Sequence, residues 1–170
     1  MPTVTRGVMV GSAGIDESNG NGYYVLYPKD PYQSAKRILS WFKKSYNLKN
    51  IGIIITDSTS TPLHRGAIGF ALSYAGFDPL RDYRGTCDLF GREIKSEMSN
   101  IPDSLAAAAV AVMGECDERI PVAIIRGLHN ITFISNGRSK SDETYVVAPE
   151  DDIMAPILFT QPWRKGGTPS

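Results

Sequence analysis

The chain has 170 residues, 42% of them hydrophobic, and its 18 Lys plus Arg balance 18 Asp plus Glu. That length suits one domain with a sizeable core, and the composition excludes a disordered chain. A neutral balance gives no general drive toward nucleic acid or an anionic membrane, and no apolar run is long enough to span a bilayer.

The N-terminus shows no signal-peptide pattern. Residues 4–13 (VTRGVMVGSA) predict a strand interrupted by glycines, followed by the polar loop GIDESNGNG. YYVLY at 23–27 predicts a second short strand. Asp30 followed by Pro31 is a helix start, with Ala35, Ile38, Leu39, Phe42 and Tyr46 on one helical face. Residues 52–56 (GIIIT) predict a buried strand that ends on Asp57 and runs into a hydroxyl-rich loop. AIGFALSYAG at 67–76 fits a small-residue strand or a helix, and periodicity does not separate the two.

FDPLRDYRGTCDLFGRE is long, charged and turn-rich, which reads as a functional loop. IPDSLAAAAVAVMG is the clearest helix, with Asp103 in its first turn and Gly114 as its stop. IPVAIIRG at 120–127 predicts another buried strand ending on polar groups. A charged loop after Asn136, a short strand near TYVVA, an acidic helix start at Pro149 and a mobile tail over 161–170 complete the chain. The expected class is α+β or mixed α/β: one domain over 1–160, with a mixed sheet and flanking helices. Cys87 and Cys116 sit outside any Cys-x-x-Cys pair and read as reduced, in a cytoplasmic protein.

Ligands in layered α/β proteins gather where loops leave the strand ends. Asp57 and Arg126 are placed there, one able to hold a divalent cation and the other phosphate oxygens. Each has a plainer reading beside it. A turn aspartate bonds the next backbone amides, and Asp103 can simply stabilise the first turn of its own helix. His64 and His129 stand alone, without metal-ligand spacing. No phosphate-binding glycine motif is present, so any nucleotide site is unconventional, and no catalytic residue can be picked out.

Taken together, AGIDESN (13–19), IIITD (53–57), GFDPLRDYRGTCDLFGREIK (76–95), PDSLAAAAVAVMG (102–114) and PVAIIRGL (121–128) resemble the coenzyme F420-0:L-glutamate ligase family. The resemblance implies an intertwined homodimer of mixed α/β fold. It also implies GTP as co-substrate, Mg²⁺ or Mn²⁺, phosphorylation of the acceptor carboxylate, and attack by the amine of L-glutamate. By the same resemblance Asp57 and Asp103 are metal ligands and Ser60 is a nucleotide contact. Asp82, Arg84 and Asp88 stand as substrate or phosphate contacts in the long loop, beside Arg126.

Three departures matter. The family commonly has Asp-Glu where this chain has Asp103 and Ser104, so a second metal loses a ligand. The loop after Asp57 lacks the family's arginine and tryptophan, which leaves the acceptor open between F420-0 and a folate. The first third of the family pattern has no counterpart here. That segment is expected from a separate chain or replaced through dimerisation; otherwise the chain is a non-catalytic binding module.

Overall fold

The computed structural model describes residues 2–5, 7–129, 131–134, 145–160, 162–164 and 166. The chain is a mixture of small antiparallel sheets and a few helices. The single mixed sheet expected from the sequence is replaced, among the described residues, by three two-stranded antiparallel sheets.

The strand expected over 4–13 is instead a hairpin. β1 (Pro2–Thr5) pairs with β2 (Val8–Gly11), and Gly7, at φ +79°, sits where the chain reverses. After β2 the backbone makes a short turn over Ser12–Gly14 with three successive left-handed residues, at φ 51°, 57° and 71°. For Ser12 and Ala13 that conformation costs roughly 1–2 kcal/mol each, so the surroundings must hold it. YYVLY forms no strand. Only Val25 bridges back, to Asp16, closing a loop over 16–25.

α1 (Pro31–Tyr46) starts as expected, with the Asp30 carboxylate accepting from the Gln33 amide at 2.8 Å, and it ends on left-handed Asn47. β3 (Ile53–Ser60) and β4 (Ala67–Ala75) form the central hairpin, so the ambiguous run at 67–76 is a strand. Asp57 is therefore not at a strand end but mid-strand, opposite Phe70. The pairing steps from Ile55↔Ser73 to Thr56↔Ala71, which leaves Leu72 as a bulged residue without a partner.

β5 (Leu80–Asp82) and β6 (Met98–Asn100) pair at the base of the charged segment. What reads as a loop is a laddered arm: Tyr83 bonds Glu97, Gly85 bonds Ile94, and Asp88 bonds Arg92 through the backbone at 2.9–3.0 Å. Its tip presents Leu89 and Phe90, both almost fully exposed.

α2 (Ile101–Met113) is capped by the Asn100 side chain, which accepts from the Asp103 amide at 3.1 Å. Gly114 stops it at φ +83°. A one-turn helix, α3 (Ala155–Leu158), lies near the end of the described chain.

The core forms around β4, against which α1 and α2 both pack. Ala71, Leu72, Ser73, Tyr74 and Ala75 are all buried, as are Ala35, Ala106 and Val110 from the helices. Gly69 sets the depth of α2, because a Cβ there would lie 2.5 Å from Val110 Cγ2. The buried Ser73 hydroxyl donates to the Pro31 carbonyl at 2.8 Å and pins the start of α1.

Residues 120–127 correct another expectation. They belong to no strand, and Val122 and Ile124 are 66% and 74% exposed. Residues 146–148 likewise carry no strand. The charged loop after Asn136 and most of the tail fall outside the described residues. No helix among the described residues is long and apolar enough to cross a membrane.

Candidate active-site cleft

One cleft of about 780 Å³ opens between β2, the left-handed turn, residues 25–28 and the whole polar half of β3. Asp57 and Ser60 both line it, together with Asp16, Ser18, Tyr27, Ser58 and Glu115. Bulged Leu72 contributes to its lining from β4.

The polar groups there hold one another. The Tyr27 hydroxyl donates to Asp57 Oδ2. Burial, followed by that bond, pushes the phenol well above its ordinary range. The Ser58 hydroxyl donates to Glu115 Oε2 at 2.9 Å, tying β3 to the segment after α2. Asp16 receives both the amide and the hydroxyl of Ser18, at 2.9 and 2.7 Å, and these bonds lower its pKa. Asn19 donates to the Cys116 carbonyl at 2.8 Å, anchoring the 16–25 loop across the same end.

Asp103 is placed differently. It does not line the cleft. Its Oδ1 accepts from the Ala71 amide at 2.8 Å and its Oδ2 from Asn100 Nδ2 at 2.6 Å, so it ties α2 to β4. Asp57 lies one residue along β3 from Thr56, the hairpin partner of the Ala71 whose amide Asp103 accepts. Tyr145 joins this second network through a 3.4 Å bond to Asn100 Oδ1, and burial and then the Asp103 charge raise its pKa.

The remaining residues read from the sequence sit outside the cleft. Asp82 and Arg84 form an exposed ion pair at 2.6 Å, with the guanidinium drawing the Asp82 carboxyl down to about 2. Asp88 Oδ1 accepts from the amides of Phe90 and Arg92 at 2.8 and 2.9 Å, shaping the tip of the arm. Arg126 is exposed on the unpaired segment. Ser104 faces a separate cavity of about 380 Å³, lined also by Arg81, Tyr83 and His129. Its hydroxyl donates to the Asn100 carbonyl at 2.7 Å.

Tyr27, Asp16 and Glu115 are the cleft residues that sequence reasoning passed over. The polar groups of the cleft are all oxygen donors, the chemistry that suits Mg²⁺ or Mn²⁺ rather than a thiolate or imidazole metal. Among the described residues no three His, Cys, Asp or Glu side chains form a ready metal cage. Mg²⁺ sites characteristically use one or two carboxylates and complete themselves with water and substrate phosphates, so the donor set fits.

A family model described as F420-0:Gamma-glutamyl ligase matches residues 2–127, a span that includes every site residue read from the sequence. The chain belongs to that family. It is 42% identical over 150 residues to the coenzyme F420:L-glutamate ligase of Methanocaldococcus jannaschii, covering 88% of this chain and 57% of that protein. The ligase of the same name from Methanopyrus kandleri is 41% identical over 128 residues, covering 74% of this chain and 50% of that protein. The one from Archaeoglobus fulgidus is 36% identical over 143 residues, covering 84% and 55%. The chain spans about half the length of the curated relatives it matches.

Proposed function

We propose that this chain carries the metal-binding part of a γ-glutamyl ligase that adds L-glutamate to a carboxylate acceptor such as coenzyme F420-0. The observation that carries the reading is the oxygen-donor cleft around Asp57, within a chain whose family match covers it. GTP is the phosphoryl donor and Mg²⁺ or Mn²⁺ the cation. The acceptor carboxylate is phosphorylated, and the glutamate amine then displaces phosphate. Such a step is mostly positioning and charge neutralisation, since the reacting groups must be held in line while negative charge accumulates.

In this reading Asp57 anchors the cation, Ser60 contacts the nucleotide, and Asp103 joins once released from Ala71 or through its remaining lone pairs. Asp82, Arg84, Asp88 and Arg126 serve phosphate or substrate from the periphery. A folate in place of F420-0 fits the same cleft chemistry.

The reading extends to a homodimer. In it a second copy covers the exposed apolar side chains of the 120–128 segment.

One observation favours a second reading, a non-catalytic binding module. Both oxygens of Asp103 are already engaged in holding α2 to β4.

Thermal melting tests the assignment of Asp57. Mn²⁺ and GTP together should raise the melting temperature of the wild-type chain, as any ligand of the folded state must. Asp57→Asn should melt cooperatively without the rise. An equal rise in the mutant, or none in either protein, overturns the assignment of Asp57. Mass-spectrometric detection of a glutamyl product distinguishes ligase from module.

A further inference from the structure

Tyr27 is the cleft residue with the most specific geometry. Its ring lies directly against the α-carbon of Gly14, where an added Cβ would fall 2.0 Å from Cε2 and 2.3 Å from Cζ. Gly14 is the last of the three left-handed residues, so both its conformation and its missing side chain make the seat for the ring. From that seat the hydroxyl reaches across thirty residues of sequence to Asp57 Oδ2.

We infer that Tyr27 is a positioning and specificity residue: its hydroxyl takes an acceptor site on Oδ2 of Asp57, which biases this carboxylate toward meeting a cation through Oδ1. The inference rests on the reading of Asp57 as a cation ligand. A carboxylate biased toward one oxygen suits a small octahedral ion such as Mg²⁺ or Mn²⁺. Ca²⁺ is larger, takes six to eight ligands, and readily accepts both oxygens of one carboxylate. The Tyr27–Gly14 contact thereby selects against Ca²⁺ without touching the ion.

Hydrogen-bonding partners of metal ligands fix the ligand's orientation, and their loss typically costs about 10–100-fold in metal affinity. Tyr27→Phe keeps the ring on Gly14 and removes only the donor. By calorimetry its Mn²⁺ affinity should fall by about tenfold or more. Its Ca²⁺ affinity should hold or rise, because Oδ2 becomes available. Gly14→Ala, which displaces the ring, should shift the Mn²⁺-to-Ca²⁺ preference in the same direction, with thermal melting used to show that both variants fold.

A merely structural role for Tyr27 would lower both affinities alike, and that result, or an unchanged preference, overturns the inference. Mn²⁺ binding that persists in Asp57→Asn, or that is absent from the wild type, overturns the underlying assignment of Asp57 as well. Loss of Mn²⁺ binding in Asp57→Asn with an unchanged preference in Tyr27→Phe overturns the inference alone.

Discussion

Two apolar runs of similar composition meet opposite fates in this molecule. AIGFALSYAG becomes β4 and sinks, with everything from Ala71 to Ala75 buried. IPVAIIRG stays in the open, with Ile120, Val122, Ile124 and Ile125 all exposed. Hydrophobicity does not separate them. β4 has a backbone partner in β3 and two helices packed against it. The second run pairs with no strand among the described residues. An apolar segment is buried only when its amides and carbonyls also find partners. The second run, without such partners among the described residues, stays exposed.

The contrast can be broken at the buried end first. Phe77, 2% exposed, packs on Tyr74 with ring centroids 5.6 Å apart. Phe77→Ala should cost about 3–5 kcal/mol in denaturant unfolding. A cost below 1 kcal/mol would mean that the β4 core is not the main source of stability.

Asp103→Ala tests the tie between α2 and β4. It leaves the Ala71 amide without its acceptor in a half-buried setting, which should cost about 1–3 kcal/mol. A neutral result would show that the carboxylate is not holding the helix.

The exposed run should respond least. Ile124→Asp should change the unfolding free energy of the chain itself by no more than about 0.5 kcal/mol, as exposed substitutions usually do. If a second copy covers the segment, the same change should dissociate the dimer, bringing the sedimentation mass down to that of one 18.6 kDa chain. A dimer that survives the substitution places the interface elsewhere.

The helices were legible because their signals are local. Asp30, Pro31 and Gly114 sit within one turn of the ends they set. β3 was legible as a strand, but not its full length, because Ser58, Thr59 and Ser60 are polar for the sake of the cleft rather than to end the strand. The hairpin at β1 and β2 was hidden by reading Gly7 as a weakness instead of a turn. The buried strand expected at 120–127 failed because apolar composition alone does not supply a backbone partner, and none pairs with it among the described residues.

Of the residues singled out in the sequence, Asp57 and Ser60 both line the cleft. Tyr27 was not found, since its meeting with Gly14 and Asp57 is made by the tertiary fold. The signals available were a glycine immediately before Ile15 and Asp16 in a family-specific motif, and a tyrosine closing an aromatic run ahead of Pro28. Glu115 had no signal beyond following the glycine that ends α2.

The bond from the Ala71 amide to Asp103 has a kinetic consequence. This proton is shielded by a side chain on another element, beside the bulge at Leu72. Its exchange with solvent deuterium should then follow the undocking of α2 from β4. A ligand that recruits Asp103 would unshield Ala71 while its neighbours in β4 stay slow.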